Sequence, residues 1–276
     1  MSRSSRAARD HGMTTKEIAA WRAKWGEGPF VTVDLVVFTL RPKERGGWSL
    51  SVLLIERGVP PFRGSFAIPG GFLRDDETLE HAARRELGEE TGVSDLGDAV
   101  VEQLATFGDP DRDPRARIVS VVHTALVPWH RVAHAKGGDD AASARFFDVA
   151  SDAAVDDDGE RLSLACDHES IVRVAVERLR GRVTYTTAPF ALMPAEFTLA
   201  ELQRAYEAIL GTELHRRAFR ERVERERWVI PTGRVRAGAH RPARLFRAAT
   251  RELLWMRPWP EAAKTPGALG VRRSRG

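Results

Sequence analysis

The sequence predicts an α+β protein built in two parts, and three observations predict it. β-Branched runs at 31–38 and 51–55 precede one strongly acidic helical stretch within 71–93, and more strand-like runs follow it. Near the C-terminal end, two amphipathic segments are parted by Gly211 and followed by two short strand-like runs. The charge divides along the same line. Residues 31–180 carry 18 Lys+Arg against 27 Asp+Glu, whereas residues 181–276 carry 19 against 9. An acidic front is repelled by nucleic acid, and a basic back is drawn to phosphate. The first part reads as an α+β sandwich and the second as a winged helix-turn-helix.

A chain of 276 residues with 42% hydrophobic content has room for two domains and their cores. One cysteine, Cys166, rules out a disulfide within the chain and a cysteine metal cluster. No apolar run approaches the roughly 20 residues of a membrane span. Arg3, Arg6 and Arg9 sit among small and polar residues with no apolar signal core, so a cytoplasmic protein with no membrane partner is expected. Residues 1–30 read as a tail, disordered or partly helical, and Met13 is an alternative start. The remaining expected boundaries are 31–165 for the sandwich, 166–189 for a linker helix and crossover, 190–260 for the winged helix, and 261–276 for a disordered tail.

The elements follow in order. Val31–Phe38 is a β-branched run and reads as a buried strand, as does Ser51–Ile55. Arg41-Pro-Lys-Glu-Arg-Gly-Gly between them is a turn. Phe66-Ala-Ile-Pro is a short strand that delivers the chain to Gly70-Gly71. After the acidic helix, 99–107 alternates weakly, Arg117–Val127 is a clear strand, and 144–149 a short one. Residues 152–160 are acidic and apolar-poor, which reads as a surface loop. Asp167 can cap a following helix in which Ile171, Val174, Ala175 and Leu179 share a face and Gly181 ends it. His168 reads as an exposed histidine near that cap.

The acidic helix carries the chemistry. Glu86, Glu89 and Glu90 are spaced i, i+3, i+4, which puts three carboxylates on one helical face. Crowded like charges disfavour a helix, and a bound divalent cation removes that cost. Oxygen-only ligands suit Mg²⁺ or Mn²⁺, which usually bind substrate phosphates as well. Leu79, Ala83 and Leu87 would seat the helix on a core, and Gly92 marks a left-handed cap.

These residues resemble the Nudix box. Gly71, Glu77, Arg85, Glu86, Leu87, Glu89, Glu90, Gly92 and Val93 each stand where the box requires them. The resemblance implies a Nudix α/β/α sandwich with Glu86, Glu89 and Glu90 as ligands of Mg²⁺ or Mn²⁺. It also implies that Arg85 pairs with a box carboxylate, Glu77, and that the fold can hydrolyse a nucleoside diphosphate linked to another group. The segment Asp109–Arg117 reads, on composition, as a solvated, charge-balanced loop. Similarity to Nudix proteins of the ADP-ribose type implies instead that Arg112, Arg115 or Arg117 meets a diphosphate or terminal ribose.

In the basic part, Thr198-Leu-Ala-Glu201 is a capping box, and Phe197 with Leu202 fits a hydrophobic staple. A helix to Leu210 follows, then Gly211, then a second helix over roughly 213–227 capped by Thr212. Arg216, Arg217, Arg220 and Arg222 lie on that helix. Glu221, Glu224 and Glu226 interleave with them and can pair with them, which leaves a solvated face as the alternative. Two short strands, at 228–233 and 241–246, flank a Gly- and Arg-rich tip and bring Arg241 and Arg244. A helix entering the major groove beside a wing fits this outline. Phe197–Gly211, Arg217-Ala-Phe-Arg220 and Arg241–Phe246, with Arg112–Arg115 and Asp167-His168, are similar to the Nudix-related transcriptional regulators, the NrtR family. Ala218 stands where that family usually has Asn. The resemblance implies a homodimeric regulator, expected to be a repressor, of NAD or sugar metabolism. Its partners would be a palindromic DNA duplex and ADP-ribose or a related nucleotide diphosphate. Because the box is intact, the alternative is a Mg²⁺-dependent hydrolase of the ADP-ribose pyrophosphatase type whose basic part serves another role.

Overall fold

The computed structural model describes residues 12–250, apart from 27, 45, 95, 97–98, 138–140 and 238–241. The expected tail at 261–276 lies outside the described residues. Within the expected N-terminal tail, Thr14 caps a helix α1 (Thr15–Trp25) through a complete capping box with Glu17.

A mixed eight-stranded sheet forms the front. Its path is β5 (Val100–Phe107), β6 (Ile118–Leu126), β1 (Phe30–Pro42), β2 (Trp48–Arg57), β7 (Ala141–Ala150) and β8 (Ala153–Val155). Two short strands, β3 (Phe66–Ala67) and β4 (Gly70–Phe72), pair with β2 and β1. β1 runs parallel to β6 and antiparallel to β2. The central strands are largely apolar because both of their faces are buried. Val33, Leu35 and Val37 face one core, shared with Ala83 and Leu87 of α2 (Leu79–Thr91). Val36, Phe38 and Leu40 face the other, shared with Ile171, Ala175 and Leu179 of α4 (His168–Val183). This is period-2 alternation with apolar residues on both sides, the pattern of a sheet covered twice.

The second core does not stop at the sheet. It runs on through α5 (Ala188–Ala191) into α6 (Leu199–Leu210) and α7 (Arg216–Arg225). Phe197, Leu202, Tyr206, Ile209, Phe219 and Val223 belong to the same cluster as Phe38 and Leu50. α6 packs on both β2 and α4. Thr198 forms the expected capping box with Glu201, and Gly211 closes α6 in the left-handed region at φ 69°. β9 (Val229–Arg236) and β10 (Ala243–Ala248) form the wing, and Phe197 bridges to Phe246 beside them.

Several expectations shift. α4 continues past Gly181, because Val183 is fully buried and anchors its last turn. Residues 153–155 form an edge strand, since Ala153 and Ala154 pack into the fold. α7 is shorter than expected and is capped by His215, whose ring accepts from the Ala218 N–H, instead of by Thr212. A small helix, α3 (Trp129–Val132), follows β6. Among the described residues no helix is long and apolar enough to cross a membrane.

Candidate effector site and winged helix

The box helix is built as its spacing predicts. Thr78 caps α2 by accepting from the His81 N–H, and Gly92 ends it at φ 70°. Gly71 lets the loop approach the Glu86 carboxylate, which a Cβ there would push aside. Arg85 is the hub of the loop and helix. It donates to both oxygens of Glu77, at 2.6 and 2.8 Å, and to the Phe72 carbonyl at 3.1 Å. This hydrogen bonding holds the Glu77 carboxyl down to about 2. Arg85 also reaches Glu86 at 2.6 Å and Glu89 at 2.9 Å, contacts the spacing did not predict.

Glu86, Glu89 and Glu90 all line one cleft of about 350 Å³ between the glycine loop, β1 and the start of α4. Burial pushes the Glu86 carboxyl up. Burial, reinforced by Glu86 and Asp34, pushes Glu90 up to about 8, although the Gly70 N–H donates to it at 2.8 Å. A cation there would bind the ionised form of the carboxylate. The expectation of a gathered ligand set needs correction in one respect. Among the described residues no three His, Cys, Asp or Glu side chains are arranged to hold a metal, because Arg85 draws Glu86 and Glu89 to itself. The donor set still fits a hard divalent ion in its chemistry. It offers carboxylate oxygens only, on one wall, two of them in an environment that penalises their charge. Binding would require Glu86 and Glu89 to leave Arg85, which would keep its bidentate hold on Glu77.

Arginines line the cleft as well as carboxylates. Arg112 and Arg115 line the cleft, and Arg117 does not: its guanidinium ties down the Gly108 carbonyl at 2.6 Å. Nor is this segment a solvated loop. Arg112 is buried and makes a two-point pair with Asp167, at 2.8 and 3.0 Å. Arg115 makes a two-point pair with Asp113, at 2.8 and 3.0 Å. Although burial opposes the charge on Asp113, the hydrogen bonds and charge of Arg115 outweigh it and lower its pKa. Asp167 makes no cap hydrogen bond to α4, contrary to expectation, because Arg112 occupies its carboxylate. His168 is buried, not exposed. Its Nδ1 accepts from the Ile68 N–H at 3.1 Å, and burial lowers its pKa.

Sequence reasoning missed several residues. Asp34 and Thr32 line the cleft from within the apolar run of β1, and Ser120 donates to Asp34. A polar residue interrupting a doubly buried strand was the available signal. Arg74 lines the cleft and reaches Glu89 at 3.3 Å. α1 lays Trp21 against Phe72 with rings stacked at 6.4 Å, and Arg115 sits 5.6 Å from both ring centres. Arg22 donates to the Arg115 carbonyl at 2.7 Å. No local pattern could have joined that helix to the cleft.

On the winged helix, Arg216, Arg217 and Arg244 are exposed and Arg220 is half-buried. Arg222 departs from the expected surface set. It is 6% exposed and its guanidinium lies 5.2 Å from the Trp228 ring centre, so it belongs to the packing of α7. Arg241 lies outside the described residues. Arg217 pairs with Glu221 at 2.7 Å, one of the interleaved pairs foreseen. Arg234 and Arg236 on β9, which were not singled out, pair with Glu196 and Glu201.

An acidic box helix on a doubly covered mixed sheet, fused through one core to a helix–turn–helix with a two-stranded wing, defines a class: a Nudix domain joined to a winged helix. Comparison with known proteins agrees. Residues 31–162 match the model of the NUDIX domain, and residues 189–248 match that of the NrtR DNA-binding winged helix domain. The ADPR responsive transcriptional repressor NtrR of Acinetobacter baylyi is 34% identical over 230 residues, covering 81% of this chain and 84% of that protein. The crystal structure of Shewanella oneidensis NrtR complexed with a 27mer DNA is 33% identical with a TM-score of 0.64, covering 79% of this chain and 93% of that one. An ADP-ribose pyrophosphatase of Methanocaldococcus jannaschii is 41% identical over 122 residues, 44% of this chain and 63% of the enzyme. The chain belongs to the Nudix-related transcriptional regulators, the NrtR family.

Proposed function

We propose that this protein is a transcriptional repressor whose Nudix cleft takes ADP-ribose or a related nucleotide diphosphate and whose winged helix binds duplex DNA. The observation that carries the reading is the single core running from the cleft's sheet to α7, which ties an effector site to a DNA-binding shape. The names of the relatives support both partners: one is an ADPR responsive repressor and another was crystallised with DNA. Glu86, Glu89 and Glu90 are the residues that would hold Mg²⁺ or Mn²⁺, and such an ion would neutralise diphosphate oxygens in the cleft. Arg112 and Arg115 supply guanidinium forks for the same diphosphate. Exposed arginines Arg216, Arg217 and Arg244 would meet DNA phosphates, with Arg220 at their edge.

Gel shifts with duplexes from the chain's own upstream region, with and without ADP-ribose, test this. The expected result is a salt-sensitive, sequence-selective complex that ADP-ribose dissociates. Absence of any such complex at all protein levels ends the reading. Because the box is intact from Gly71 to Val93, hydrolysis is the second reading, and it is compatible with the first. It predicts cation-dependent turnover of ADP-ribose that is abolished by Glu89→Gln.

A further inference from the structure

Among the described helices of ten residues or more, α1, α2 and α6 begin alike, α7 is capped by His215, and α4 has no side-chain cap. Thr14, Thr78 and Thr198 stand at ψ of 159°, 161° and 157°, and each side chain accepts a hydrogen bond from its own first turn. Asp167, at the head of α4, stands at ψ 16° and caps nothing. Both of its carboxylate oxygens are held by Arg112, a buried residue that lines the effector cleft and also lies 3.9 Å from Asp34. Cys166, the residue before it, is at φ 50°, the left-handed region that a side chain with a Cβ disfavours. The entry to α4 is thus strained at Cys166, left uncapped by Asp167, and fastened beside the cleft at two points: Arg112 on Asp167, and the Ile68 N–H on His168 Nδ1. α4 in turn packs on α6 and shares its core with Tyr206 and Phe219 of the winged helix.

We propose that the Arg112–Asp167 pair is a latch through which occupancy of the cleft reaches the winged helix. This rests on the reading that the cleft takes the effector. Diphosphate oxygens compete with Asp167 for the Arg112 fork, since both are planar or clustered anionic acceptors suited to it. Once released, Asp167 swings to the capping geometry seen at α1, α2 and α6, and Cys166 leaves the left-handed region. α4 then shifts against α6, which it meets through Arg180 on the Ile209 carbonyl, and the arginine face of α7 moves with it. The effector drives this because it binds the open arrangement better than the latched one. Asp167 is a positioning residue: it touches neither effector nor DNA.

Asp167→Asn tests the latch, because asparagine still caps a helix but lacks the charge that holds Arg112. The duplex from the chain's own upstream region and ADP-ribose are the probes. Ligand-free D167N should bind the duplex between about 5- and 150-fold more weakly than wild type, the usual range of coupling between two sites. ADP-ribose should weaken it little further. D167N should also bind ADP-ribose more tightly than wild type, since Arg112 no longer has to leave a partner. A merely structural defect would weaken that affinity instead. Wild-type duplex affinity with a full ADP-ribose response in D167N overturns the latch and leaves the functional reading intact. A wild-type protein whose DNA affinity ignores ADP-ribose overturns both. Should D167N not fold, amide exchange in the wild type decides: ADP-ribose should change exchange at 168–171 several-fold, and unchanged exchange there refutes the proposal.

Discussion

Arg85 concentrates the chemistry of the box in one side chain. It closes the loop on Glu77, steadies the Phe72 carbonyl, holds Glu86, and shares Glu89 with Arg74. Removing it leaves partly buried carboxylates facing one another. Arg85→Ala should therefore destabilise the fold by about 3 kcal/mol in a urea titration; a loss within error would make Arg85 an ordinary surface charge. His168 gives a second residue-scale prediction. Its folded pKa lies below 6.5 because burial penalises the imidazolium, and its Nδ1 must stay unprotonated to accept from Ile68. The unfolded chain takes up that proton first, so the stability it contributes is present above pH 6.5 and is lost as pH falls below it. Melting curves of wild type should show this decline, and His168→Gln should flatten it. A parallel pair of profiles would refute the assignment. At this scale the glutamates, Gly71 and the Arg85–Glu77 pair were legible from spacing alone. The burial of His168 and the diversion of Asp167 were not, because each depends on a partner from 55 to 100 positions away.

Among the elements, α7 separates two kinds of arginine that look identical in sequence. Arg217 projects outward and pairs with Glu221, whereas Arg222 lies by Trp228 in the packing of the helix. Arg217→Ala should weaken DNA binding about equally across sequences and lower the salt slope by about 1, with the melting temperature unchanged. Arg222→Ala should instead lower the melting temperature, through lost packing as well as lost charge. If both variants behave alike, the division drawn from burial is wrong. Caps and turns were readable here: Thr198 with Glu201, Gly211 and Gly92 all stand where their local chemistry puts them. The cap of α7 lies at His215 and not at the expected Thr212, because several neighbouring residues can cap a helix and packing chooses among them. α4 ran on past Gly181 for a similar reason, since a buried valine two residues later outweighs glycine's weak helix preference.

For the whole molecule, the decisive feature is that α4 and α6 pack on the back of the sheet whose front carries the box helix. A change in the cleft has only the thickness of β1 and the head of α4 to cross. A winged helix reading a palindrome calls for two copies, one per half-site, about one helical turn or a multiple of it apart. The protein should sediment as a dimer at DNA-binding concentrations and protect two symmetric half-sites in a footprint. A monomer protecting a single site would refute the two-fold arrangement. What the sequence by itself determined is whatever repeats at short range: the acidic helical face, the doubly apolar strands, the caps, and a charge that changes sign between two units. Periodicity and capping are local, so a linear string carries them. Tertiary structure alone decided which arginines face the cleft, which one is buried in α7, that α1 brings Trp21 to Phe72, and that the two units share a core. Those facts are set by contacts between segments far apart in the chain, where the free energy of burying a charge or a ring depends on neighbours that no local pattern specifies.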